Sequence, residues 1–243
     1  MAANAMDRAR RFATQHLGVI TRDELRSVGM SDKAIDRQLG KGDLIRIHES
    51  VYRFPGHPLG FRARLYAAAR WAGPGAVISH RSAAFCYGFD GQTGDVVELT
   101  IQGRKGSKLP GAVTHRTNLL PKCDATRLGV IPMTTPTRTI IDLAGVVSEL
   151  DLEIALDSAL RTGKTSVTRL KRRMDDLGQR GRRGIGSLRR LMEERDPCAA
   201  PAESASRHCP ARNRRGHDPE GGGPSLLPAD ARQPNDLWRV TDT

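Results

Sequence analysis

Aromatic residues make up only 4% of this 243-residue chain, and the apolar fraction is 38%. A chain folded along its whole length needs more core than that, so some part is expected to lack one. No segment approaches 18 uninterrupted apolar residues, which argues against a helical membrane span. The opening stretch MAANAMDRARRFATQH lacks the apolar run of a secretion signal. Cys86, Cys123, Cys198 and Cys209 show no C-x-x-C spacing, and in a reducing compartment they need no disulfide. The cytoplasm is therefore the expected location.

Chemistry-bearing patterns are also scarce. GRKGSK, Gly103 to Lys108, lacks the GxxxxGK[ST] spacing of a phosphate loop and reads as a solvated turn between two strands. Cys198, His208, Cys209 and His217 match no standard zinc spacing. His80 reads as a structural hydrogen-bonding residue. Asp142, beside Thr139 and Asp157, has no histidine at a helical spacing that would suggest a triad or a metal. No cofactor, metal or catalytic residue is expected.

What the chain has is positive charge, with a formal net of +12. Clustered Lys and Arg favour a polyanionic partner, although an Arg-rich proteome raises charge without any ligand. The charge is uneven. Residues 161–195 carry twelve Lys and Arg against four acids, whereas the first 56 residues carry ten against seven. Arg169, Lys171, Arg172, Arg173, Arg182 and Arg183 are candidate phosphate contacts. They read equally well as the solvated side of helices that bury Leu170, Met174 and Leu177.

The hydrophobic pattern predicts three segments. Over residues 1–56, a helix from Asp7 to His16 ends at Gly18. A second helix is capped by Thr21 with Glu24 at capping-box spacing, and a third by Ser31 with Ile35 and Leu39 inward. The last two, joined by a Gly-containing turn, have helix-turn-helix spacing. A hairpin follows, with Leu44, Ile45 and Ile47 in one strand and Val51, Tyr52 and Phe54 in the other; alternation puts Arg46 opposite Ile45 and Ile47. Residues 57–195 mix helices with strands at 95–102, 112–117 and just before Thr135, where Pro136 opens a helix. Three amphipathic helices follow, at 150–160, 167–177 and 185–195. Residues 196–243 hold seven of the 14 prolines and no periodic apolar pattern, so they are expected to be disordered. The expected fold is α+β, a winged helix-turn-helix followed by a mostly helical domain with a small sheet.

In a winged helix-turn-helix, the second helix of the pair enters the major groove and its early outward residues reach base edges. Those residues are Ser31, Asp32, Lys33, Asp36 and Arg37, with Lys41 placed for a phosphate. Lys33 and Arg37 suit guanine, and the two aspartates suit cytosine. The hairpin offers Arg46, His48 and Arg53 to backbone or minor groove. The alternative is a small bundle whose hairpin touches only protein.

GVITRDELRSVGMSDKAIDRQLGKGDLIRIHESVYRF resembles the N-terminal winged helix of AbiEi-like antitoxins, the antitoxin half of type IV toxin–antitoxin systems. ISHRSAAFCYGF and GVIPMTTPTRTIIDLA are similar to the central region of actinobacterial relatives, so the likeness runs over residues 6 to 203. It implies a DNA-binding regulator that represses its own operon and a region that counters a toxin protein. Double-stranded DNA and a cognate toxin are the implied partners; the sequence leaves the oligomeric state open. Many actinobacterial relatives carry instead a C-terminal domain similar to very-short-patch-repair endonucleases, opened by a segment like APAESASR, in which Glu203 would match the first acid. The acid and acid-x-Lys pattern that holds a metal in such nucleases does not follow here. The expectation is therefore a non-enzyme whose endonuclease-like part is lost or frameshifted soon after Ser204. Restoration of an apolar periodic pattern in another reading frame would bear this out. Two other readings are a module that binds a toxin or other protein, and a truncated member of a winged-helix endonuclease-like family.

Overall fold

In the computed structural model, residues 4–103, 109–178 and 183–195 are described, all within one compact unit, Met1–Ala200. Arg182, the tail from residue 196 and most of the GRKGSK loop fall outside them.

The first helix, α1 (Ala5–Gln15), leads into a short strand, β1 (Val19–Thr21), absent from the sequence expectation. Thr21 ends β1 and begins α2 (Arg22–Ser27). Its hydroxyl accepts from the Glu24 N–H, and the Glu24 carboxylate accepts from the Thr21 N–H, a full capping box. Ser31 caps α3 (Asp32–Lys41), which stops at Gly42 in the left-handed conformation. The hairpin strands are β2 (Ile45–His48) and β3 (Val51–Arg53). β3 lies centrally, with β1 and β2 antiparallel on either side.

Ala9, Ala13, Ile20, Leu25, Ile35, Leu44, Tyr52 and Phe54 form this module's core. One expectation about the hairpin needs correcting. Register shifts between Arg46 and His48, so alternation breaks there and Ile45 is exposed instead of sharing a buried face with Ile47.

The second layer begins with α4 (Phe61–Ala72), followed by β4 (Val77–Ile78), α5 (His80–Tyr87), β5 (Val97–Gln102) and β6 (Ala112–Thr117). A 3₁₀ turn, Lys122–Asp124, precedes β7 (Ala125–Leu128) and β8 (Ile131–Thr134). Three of the expected strands are thus joined by β4 and β7, too short to announce themselves in the sequence. The sheet order is β6-β5-β4-β8-β7, with β5/β6 and β4/β8 parallel. β5 and β6 pair in parallel and so are not the two arms of a hairpin; the expected turn between them lies mostly outside the described residues. α4 packs its alanine-rich face, Ala63 and Ala67 to Ala69, into a cluster that also holds Val19 and Val51, so the wing sheet and the larger sheet share buried contacts.

The remaining helices, α6 (Pro136–Leu143), α7 (Glu149–Arg161), α8 (Val167–Leu177) and α9 (Ile185–Glu194), build a separate helical cluster. α9 starts so close to the end of α6 that a Cβ on Gly184 would stand 1.5 Å from the Ala144 carbonyl oxygen. Among the described residues no helix is long and apolar enough to cross a membrane.

Candidate nucleic-acid interface

α3 is positioned by its buried face. Ile35 is fully buried, Leu39 is half-buried, and the opposite face is left to solvent. Ser31, Lys33, Asp36, Arg37 and Lys41 are all exposed. Among the described residues, the side chains of Lys33, Arg37, Lys41 and Arg46 make no hydrogen bond or ion pair; Asp36 does.

The two aspartates of this face are held by α2. Arg22 donates to Asp32 at 2.8 Å and also to Asp36, while its Nε donates to the Tyr52 hydroxyl at 3.0 Å. Arg26 grips Asp32 through two nitrogens, at 3.0 and 2.9 Å. Arg26 first, then Arg22, holds the Asp32 carboxyl below its ordinary range against a smaller opposing effect of desolvation. Exposed pairs of this kind add little stability. Their effect is electrostatic: the negative charges that dilute the α3 surface are neutralised from behind. Asp32 and Asp36 therefore already accept from arginines within the protein. Sequence reasoning passed over Arg22 and Arg26, because the α3 aspartates they hold lie six to 14 residues away across a turn.

The other expected contacts divide. Arg46 is exposed beside the bulge. His48 is half-buried, and burial pushes its imidazole pKa down. Arg53 donates to the His57 carbonyl at 3.0 Å. In the basic segment, Arg169, Lys171, Arg172 and Arg183 are exposed. Arg173 is different. It clasps Asp124 at 2.6 and 2.8 Å and reaches Asp176, which ties α8 to the 3₁₀ turn. Asp124 also accepts from Arg138 at 2.6 Å, and Arg138 donates on to Asp142 at 2.8 Å. Arg138 and Asp124 are buried, so Asp142 belongs to a structural ion network.

A second polar cluster lies in the larger sheet. His80 and Glu98 are buried, and the His115 ring stacks on His80 with centroids 3.5 Å apart. Burial, then the neighbouring His115, pushes the His80 imidazole down to about 3, so it is neutral. Burial alone would raise Glu98, but His115 and the Arg81 backbone and guanidinium outweigh it, and the carboxyl sits at about 2. Sequence reading treated His80 as a lone residue; its partners lie on strands whose pairing only the fold reveals.

A helix, a strand, a helix pair and a hairpin, with the second helix of the pair exposed, define a winged helix-turn-helix. Residues 7–55 match the model of the family described as "Transcriptional regulator, AbiEi antitoxin". No curated protein sequence matches. Among solved structures, the crystal structure of RV2827C protein from Mycobacterium tuberculosis is similar at 19% identity and a TM-score of 0.48, over 76% of this chain and 75% of that one.

Proposed function

We propose that this chain is a DNA-binding transcriptional regulator of the antitoxin type, acting in the cytoplasm on the operon that encodes it. One observation carries the reading. The exposed face of α3 leaves Lys33 and Arg37 without partners while the acids beside them are neutralised by α2. Unpaired cations on the second helix of a helix-turn-helix suit base edges in the major groove, with Ser31 at the helix start. Lys41 and Arg46 serve phosphates, and His48 and Arg53 flank them on the hairpin. Asp36 acts through Arg22 and not on a base. Arg169, Lys171, Arg172 and Arg183 add backbone contacts. On this reading residues 1–56 are the reader and residues 57–195 the domain that meets a cognate toxin.

The test is a mobility shift on the gene's own upstream region at two salt concentrations. Binding is expected to be sequence-specific and weaker at higher salt, because each phosphate contact releases counterions. Lys33→Ala/Arg37→Ala should weaken specific binding at least about tenfold, since a good base contact is worth about 1–3 kcal/mol. Both side chains are exposed, so the double variant should keep its melting temperature. Unchanged affinity in it would overturn the assignment of α3.

A further inference from the structure

Glu98 and Thr100 lie on one face of β5, and the parallel register sets Thr100 opposite His115 of β6. His80 arrives from above at the start of α5. It adopts φ +51°, a left-handed conformation uncommon for a residue with a side chain. Strained backbone of this kind persists where surroundings over-determine it, often at ligand sites.

The ligand atoms of His80, Glu98 and His115 all lie within 4.8 Å of one another. His115 Nε2 is buried, makes no hydrogen bond, and stands 3.7 Å from Glu98 Oε2. That separation is too long for a hydrogen bond. It is close to the roughly 3.4 Å between two ligand atoms on one tetrahedral ion with bonds of about 2.1 Å. The surroundings look like an outer ligand shell. Ser79 Oγ lies 2.8 Å from His80 Nδ1 and accepts from Thr100 Oγ1 at 2.7 Å, which fixes the ring and leaves Nε2 as its ligand atom. Glu98 Oε2 accepts from the Arg81 N–H at 2.9 Å, and Oε1 from the Arg81 guanidinium at 2.7 Å.

We propose that His80, Glu98 and His115 bind a divalent transition-metal ion of the Zn2+ class, tying the start of α5 to strands β5 and β6. Two imidazoles and one carboxylate suit Zn2+ or Co2+ better than Mg2+ or Ca2+, which prefer all-oxygen sets. Binding splays the stacked rings so that both nitrogens face the ion. The guanidinium of Arg81 opposes the added charge, so affinity falls below that of a four-ligand structural zinc site. The inference goes beyond the DNA-binding reading and does not depend on it.

The full chain, stripped with chelator, should take up one equivalent of Co2+ with a visible absorption band that Zn2+ abolishes by displacement. Zn2+ should raise its melting temperature by several degrees. His115→Ala, at a half-buried position on an edge strand, should lose both effects while keeping its circular dichroism, and Glu98→Gln should weaken both. Cys198→Ser/His208→Ala/Cys209→Ser/His217→Ala, which removes other donors, should keep them. In the wild-type chain, Zn2+ should shift the ring 15N resonances of His80 and His115, a reading independent of any variant's fold. No saturable band, a band lost only with the tail donors, or unshifted His80 and His115 nitrogens would each overturn the site.

Discussion

At the residue scale, small polar side chains do two kinds of work, closing helix ends and setting charges. Thr21 does the first. Replacing it with Ala leaves the Glu24 N–H without its cap and should cost about 1 kcal/mol, read from urea unfolding. Asp32 does the second. Its ordinary value is 3.8 and its arginine partners lower it. Whatever stability it contributes is complete above that value and fades as pH falls through the depressed one. An NMR titration of its carboxyl should give a midpoint below 3.8, and Arg26→Ala should move it back up. A midpoint unmoved by that substitution would show that Arg26 is not the main partner. The Thr21 and Ser31 caps were legible in the sequence because a cap is a local device spanning three residues. The Arg22 clasp was not, since an ion pair across a turn leaves no periodic trace.

At the element scale, pattern length decided what could be read. The long helices and β5 span enough residues for periodicity to show, and α6 to α9 lie close to their expected positions. Strands β1 and β4, of three and two residues, carry too short a pattern to separate from a helix edge or a loop. The alternation in β2 misled, because a bulge inserts a residue and turns Ile45 outward. The basic α8 was ambiguous between a phosphate-binding and a solvated face, and its Arg173 does neither, being spent on a buried acid from the 3₁₀ turn. That network ties three elements together, so Asp124→Ala should be severe. It leaves Arg138 buried with Asp142 and the Leu119 carbonyl, without the closest of its carboxylates, a loss of about 3–5 kcal/mol by analogy with broken buried pairs. Thermal or urea unfolding measures it, and a loss below about 1 kcal/mol would mean that the network relaxes or hydrates.

For the whole molecule, the electrostatic question is how the α3 face and the basic stretch of residues 161–195 divide the binding of a polyanion. If both touch phosphate, removing Arg169 and Arg172 should flatten the salt dependence of DNA binding by roughly one unit of slope per lost contact and weaken all sequences alike. The α3 double substitution should instead erase discrimination between operator and random DNA. A salt slope unchanged by Arg169→Ala/Arg172→Ala would leave that stretch as a solvated surface.

The sequence by itself determined the helices, their caps, the winged helix-turn-helix and the charge, because each is written in neighbours a few residues apart. Tertiary structure alone decided which charges are free. It neutralised Asp32 and Asp36, spent Arg173 on the buried Asp124, and gathered His80, Glu98 and His115 from three segments. The physical reason is that strand pairing and helix packing bring distant residues within a few ångströms, and a charge means something different once it has a partner.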